Sequence, residues 1–174
     1  MKNFLIVVDM QKDFVDGALG TPEAVAIVPA VCEKIRSFDG EILVTYDTHP
    51  ADYLNTAEGK KLPVVHCVKD TSGWQLDANV ATALAGKAYR TVEKPTFGSV
   101  ELPSIIATMA GDEDFSVTLI GLCTDICVVS NALLLKAHFP EQEIAVYATC
   151  CAGVTPATHD AALKTMAMCQ IDIL

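Results

Sequence analysis

The 174-residue chain is predicted to fold as a three-layer α/β/α protein around a mostly parallel, five- to six-stranded sheet. Three observations predict it: short β-branched apolar runs recur, stretches of helical spacing lie between them, and no linker, repeat or low-complexity tract breaks the alternation. The runs are FLIVVD at 4–9, EILVTYD at 41–47, AYRTVE at 88–93, SVTLIGL at 116–122 and EIAVYAT at 143–149. They read as strands buried on both faces of a parallel sheet. The segments AVAIVPAVCEKIRSF at 24–38, SIIATMA at 104–110 and VVSNALLLKAHF at 128–139 carry apolar residues at helical intervals. Right-handed crossovers then place helices on both sides of the sheet. The closing CQIDIL adds one edge strand, and residues 49–75 form a long irregular insertion of the kind that is usually functional.

Length and a hydrophobic content of 51% suit one domain over residues 1–174. The net charge of -10, from 22 acidic and 12 basic residues, comes with no Lys/Arg cluster fit to neutralise phosphates, so nucleic acid is excluded as a partner. No apolar run approaches bilayer length and the first residues show no cleavage site, so no membrane association or export is expected. Seven cysteines at scattered positions make an odd set unsuited to a disulfide framework, which points to a reducing, cytoplasmic location.

In open parallel sheets, ligands bind beyond the carboxyl ends of the strands. Asp9 ends the first run, Asp47 and His49 close the second, Lys94 follows the third and the Gly121–Cys127 segment follows the fourth, so all are expected on one rim. Cys127 falls at a helix start after Thr124 and Asp125, two capping residue types, where helix amides and Lys94 favour a thiolate. The opposing reading is a buried cysteine acting as a small hydrophobe. Asp9 and Lys94 are read as partners of the thiol or, alternatively, as a strand-end salt bridge. Asp47, His49, His66 and Glu58 supply carboxylate and imidazole donors for zinc, manganese or iron, or are ordinary loop residues. Cys123 with Cys127, and Cys150 with Cys151, lack the C-x2-C spacing of redox and metal motifs. Cys32, Cys67, Cys123, Cys150, Cys151 and Cys169 are therefore taken as packing residues or bystanders.

The ordered segments VVDMQKDF, YDTHP, VVHC, EKPTFGS and GLCTDICVVSNA, followed by CCAGVTPATHDAAL, resemble the isochorismatase-like cysteine hydrolases, and within them the nicotinamidase/pyrazinamidase branch. The resemblance implies an isochorismatase-like, Rossmann-like fold and a cysteine amidohydrolase that turns a small carboxamide into acid and ammonia through a thioester. It implies Cys127 as nucleophile, Asp9 as proton carrier and Lys94 as the cation holding both. Backbone N–H groups of Cys123 and Cys127 are implied as the oxyanion hole, with a cis peptide between Leu122 and Cys123. One divalent metal, zinc before manganese or iron, is implied on Asp47, His49 and His66, with Glu58 as candidate fourth ligand. Phe14 matches an aromatic that stacks on a substrate ring, and such families often form homo-dimers or tetramers.

The chain departs from the branch at Leu62, Pro63, Val64 and Val65, where a large aromatic commonly precedes the second metal histidine. Either Trp74 replaces that wall from downstream, or the pocket prefers a different amide altogether. The competing readings are a related hydrolase of an N-carbamoyl group or another small amide, and a non-enzymatic metal-binding domain. The vinyl-ether hydrolases of the family lack the catalytic cysteine, so Cys127 argues against them.

Overall fold

Strand β1 (Lys2–Val8) shows why the chain layers as it does, since Phe4 to Val8 are all fully buried. Successive strand side chains point to opposite faces. Accordingly Leu5 and Val7 enter one core cluster while Phe4, Ile6 and Val8 enter the other. A strand buried on both faces must lie centrally, with helices on either side. The computed structural model describes residues Met1–Leu174.

Along the chain, β1 is followed by α1 (Lys12–Val15), α2 (Pro22–Ser37), β2 (Glu41–Asp47), α3 (Ala57–Lys61), α4 (Ala78–Leu84), β3 (Tyr89–Lys94), α5 (Leu102–Ala110), β4 (Phe115–Leu122), α6 (Val129–His138), β5 (Glu143–Ala152), α7 (Pro156–Met168) and β6 (Asp172–Ile173). A 3₁₀ turn covers Tyr53–Asn55 and a π-helical turn covers Thr124–Val128. The six strands stand in the order β3-β2-β1-β4-β5-β6, every pair parallel. Helices α2 and α4 cover the face of Leu5 and Val7, and α5, α6 and α7 cover the other. This is a doubly wound sheet whose direction of travel reverses between β1 and β4, where a crevice opens.

The five apolar runs are strands and CQIDIL contributes the sixth, at the edge beside β5. Lys94 closes β3 rather than following it, which turns its side chain inward. Helices α4 and α7 escape the apolar-periodicity reading because alanine and threonine dominate them. The start of α7 is nevertheless written in the sequence, as Thr155 and Thr158 form a capping box with Pro156 in the first turn. Within 49–75 the 3₁₀ turn and α3 are short ordered pieces of an otherwise irregular connection.

Gly121 is required where β4 passes β1. Its φ is 119°, and a Cβ there would collide with the Val8 carbonyl. That close approach brings the end of β4 against Asp9.

Candidate active site

Three charged or nucleophilic side chains meet at the β1/β4 crevice. Asp9 follows β1 with a φ of 47°, a left-handed conformation that a non-glycine residue holds only when its surroundings fix it. Its amide donates to the Thr45 carbonyl, and the Thr45 hydroxyl donates to Asp9 Oδ1 over 2.6 Å. Lys94 Nζ, from the end of β3, lies 2.6 Å from Asp9 Oδ2 and donates to Cys127 Sγ at 3.4 Å and to the Thr96 carbonyl at 3.0 Å. Asp9 is 0% exposed, Lys94 1% and Cys127 4%, so the trio is shielded from bulk water.

Burial sets the proton affinities. It alone would lower the Lys94 pKa, but Asp9 first, then Cys127 and Asp47, outweigh it, so the ammonium is held more firmly than usual. Burial raises the Asp9 pKa against the pull of Lys94, making Asp9 a stronger base than a surface carboxylate. The Cys127 thiol is pushed well up, by burial first and Asp9 second, with Lys94 opposing. This corrects the expectation of an easily formed resting thiolate: helix amides and one ammonium do not overcome desolvation beside a carboxylate.

Cys127 sits in the π-helical turn that leads into α6, not in an α-helical first turn. Thr124 and Asp125 do not cap it. The Thr124 hydroxyl instead bonds His159 Nδ1 at 2.8 Å, and the Asp125 carboxylate accepts from the Val154 amide at 3.1 and 3.2 Å. Asn131 Nδ2 donates to the Cys127 carbonyl at 2.8 Å and its Oδ1 accepts from the Ser99 amide. These braces were missed in the sequence, because they depend on which loops pack beside the turn. The peptide bond between Leu122 and Cys123 is cis. None of the chain's hydrogen bonds uses the Cys123 N–H, which leaves that donor free beside the thiol.

A second cluster lies beside the first. Donor atoms of Asp47, His49 and His66 all fall within 4.8 Å of one another, and all three residues are buried. His49 Nε2 is 2.9 Å from Asp47 Oδ2, and His66 Nε2 is 3.6 Å from it. Glu58 Oε1, from α3, stands 3.7 Å from both imidazole nitrogens. Ligand atoms about 2.1 Å from a tetrahedral ion lie about 3.4 Å apart, so these spacings suit one small divalent cation. Two details support the fit. His49 Nε2 is buried without a hydrogen-bond partner despite its short approach to Asp47, an orphaned donor atom that a bound cation would satisfy. His66 Nδ1 is 2.7 Å from the Val64 carbonyl, which fixes the proton there and leaves Nε2 bare. The rings of His49 and His66 are packed by Tyr53, fully buried, at centroid distances of 4.6 and 4.9 Å.

Both clusters open into one small pocket lined by Phe14, Leu19, Asp47, Glu58, Leu62, His66, Phe97, Cys123, Ile126 and Cys127. Phe14 lies on its wall and packs edge-to-face with His66, centroids 5.5 Å apart. Trp74 is not there, which corrects the expected aromatic wall. Its ring packs on Tyr46 at 5.0 Å and its indole N–H donates to Thr48 at 2.9 Å, so it braces the end of β2 from outside. Leu62, Phe97 and Ile126 form the wall instead. The FGS segment was visible as a motif, but nothing in the sequence turned Phe97 into the pocket.

Comparisons with known proteins come to the same place. A family model described as "Isochorismatase domain" matches residues 3–174. The nicotinamidase of Saccharomyces cerevisiae is 29% identical over a match covering 52% of this chain and 55% of the yeast protein, so the match spans about half the length of that curated relative. The structure of a pyrazinamidase from Pyrococcus horikoshii in complex with zinc is 28% identical, with a TM-score of 0.84 over 100% of this chain and 99% of that one. A nicotinamidase/pyrazinamidase structure from Bacillus subtilis, at 23% identity, shares the fold with a TM-score of 0.85 over 99% of both chains.

Proposed function

The chain belongs to the isochorismatase domain family, and from that premise we propose that it hydrolyses a small carboxamide of the nicotinamide or pyrazinamide kind to the acid and ammonia. The observation that carries this reading is the buried contact of Lys94 with both Asp9 and Cys127 at the floor of the pocket. A non-enzymatic metal-binding domain has no use for that arrangement. The similarity to a nicotinamidase and a pyrazinamidase favours the carboxamide over an N-carbamoyl substrate.

The proposed steps follow from the proton affinities. At rest the proton sits on Cys127, because burial and Asp9 both disfavour a thiolate. As the sulfur attacks the amide carbon, Asp9 takes its proton, and Lys94 keeps charge balanced while the negative charge moves from sulfur to substrate oxygen. The unused Cys123 N–H and the Cys127 N–H are assigned to that oxygen; one such donor is worth roughly a hundredfold in rate or more. Asp9 then passes the proton to the departing amine, releasing ammonia and leaving a thioester. Water, deprotonated by Asp9 in turn, hydrolyses the thioester and restores the thiol.

Asp47, His49 and His66 are the residues assigned to a divalent metal, zinc in the first instance, with Glu58 nearest as a fourth donor. When bound, the ion supplies a Lewis-acid site for a ring nitrogen of the substrate. Phe14, Phe97, Leu62 and Ile126 provide apolar walls for a flat ring.

An ammonia-release screen over nicotinamide, pyrazinamide, N-carbamoyl amino acids and aliphatic amides tests the reading. Turnover of the two aromatic amides is expected to exceed that of the others. Preferred turnover of a carbamoyl amino acid would overturn the assignment.

A further inference from the structure

Resting on the metal reading above, we propose that Gln11 and Asp13, on the short segment after β1, are positioning residues that hold the metal-ligand set in register before any ion arrives. Gln11 is 0% exposed, and none of its side-chain hydrogen bonds goes to the Asp47 carboxylate. It grips the Asp47 backbone instead. Gln11 Oε1 accepts from the Asp47 amide at 2.8 Å, and Gln11 Nε2 donates to the Asp47 carbonyl at 2.9 Å. The second Nε2 proton goes to the Trp74 carbonyl at 2.9 Å. A carboxamide that accepts from the N–H and donates to the C=O of one residue holds both flanking peptide groups, fixing that residue's rotation as an additional strand would. Nothing pairs with Asp47 in this way on the side of β1, because the chain leaves β1 at Asp9.

Asp13 does the same for the other half of the cluster. Its Oδ2 accepts from the Cys67 amide at 2.8 Å. Cys67 follows the ligand His66 directly and has a φ of 45°, a left-handed conformation that needs an external hold. Gly73 leaves the space that the Asp13 carboxylate occupies, since a Cβ at residue 73 would collide with it. Between Gln11 and Asp13 the Lys12 amide donates to the Gln75 carbonyl and the Asp13 amide to the Gly73 carbonyl. One residue on, Phe14 presses on the His66 ring. Four consecutive residues thus tie the Asp47 strand end to the His66 loop, the two segments that carry the clustered donor atoms.

Outer partners of metal ligands are typically worth roughly 10- to 100-fold in affinity. The experiment measures the zinc dissociation constant by competition with a chromophoric chelator, together with the visible spectrum of the cobalt-substituted protein. Wild type, Gln11→Met, Asp13→Ala and the core control Ile106→Val are compared. Gln11→Met is expected to weaken zinc by about tenfold or more and to alter the cobalt band shape, while Ile106→Val lowers the unfolding temperature and leaves both unchanged. Should Gln11→Met fail to fold, Asp13→Ala decides alone, with the same expectation. Zinc affinity within threefold of wild type, with an unaltered cobalt spectrum, in whichever of the two variants folds would overturn the proposal. A wild-type protein that binds no zinc would instead overturn the metal reading, so the two failures are distinguishable.

Discussion

Asp47 Oδ1 lies 3.7 Å from Lys94 Nζ, while Oδ2 of the same carboxylate faces His49 and His66. One side chain therefore borders both the nucleophile's cation and the metal cluster. Burial would raise the Asp47 pKa, but the neighbouring imidazoles of His49 and His66, and then Lys94, outweigh it and hold the carboxyl well below its usual range. The crevice carries a dense set of buried charges whose balance depends on Lys94.

Removing that cation should cost stability in a pH-dependent way. In Lys94→Met, Asp9 is left buried without its partner, a loss of about 3 to 5 kcal/mol at neutral pH. The Asp9 pKa, already raised by burial, rises further. Stability tied to a raised carboxyl pKa is fully present below the unfolded value, about 3.9, and is lost as pH climbs through the folded value. The deficit should therefore shrink toward pH 4, and Asp9→Asn combined with Lys94→Met should recover much of it. Urea unfolding from pH 4 to 8 checks this; an equal deficit throughout would refute it.

The proton inventory makes a less intuitive demand on Cys127. Asp9 raises the thiol pKa and Lys94 lowers it. Asp9→Asn should thus ionise the thiol more readily, and iodoacetamide should modify Cys127 at least tenfold faster at pH 7, one pKa unit being tenfold in thiolate. The same variant should release no ammonia. Lys94→Met should slow alkylation. Peptide mapping after timed alkylation reads both, and slower labelling in Asp9→Asn would contradict the charge assignment.

Zinc should stabilise the folded chain by mass action, about 2.7 kcal/mol at a free concentration one hundred times the dissociation constant. Thermal unfolding with added zinc, and after chelation, measures the effect. His66→Ala should abolish the zinc-dependent rise, since it removes one of the three clustered donors.

Pocket walls can be tested one residue at a time. Trp74 lies behind Thr48 and Tyr46, outside the pocket, so Trp74→Phe should change KM for nicotinamide by less than about threefold, under about half of the 1.4 kcal/mol that a tenfold change represents. Phe97→Ala, which strips a pocket wall, should raise KM about tenfold, the loss of about 1.4 kcal/mol of apolar contact. The reverse order of effects would return the aromatic wall to Trp74.

The doubly wound sheet was legible because its strands are apolar on both faces and its helices keep their spacing. The edge strand was legible as a short apolar tail. Asp9, Lys94 and Cys127 could be placed on one rim from strand ends alone, and Asp47, His49, His66 and Glu58 beside them by donor type. What escaped depends on tertiary packing. Trp74 was misplaced because sequence proximity to a loop does not say which side of the loop a ring takes. Phe97, Ile126, His159 and Asn131 carry no donor pattern of their own and acquire significance only from what they touch. The thiol's proton affinity was misjudged because helix amides and Lys94 are visible in sequence, whereas complete burial beside Asp9 is not.

The central claim is that Cys127 forms the bond to the substrate carbon. Ammonia release from nicotinamide by purified wild type and by Cys127→Ala, each checked for folding and zinc content, tests it most directly. The expected result is a loss on the order of 10⁴-fold or more in kcat in the folded, zinc-loaded variant. A Cys127→Ala protein that retains activity within tenfold of wild type would contradict it.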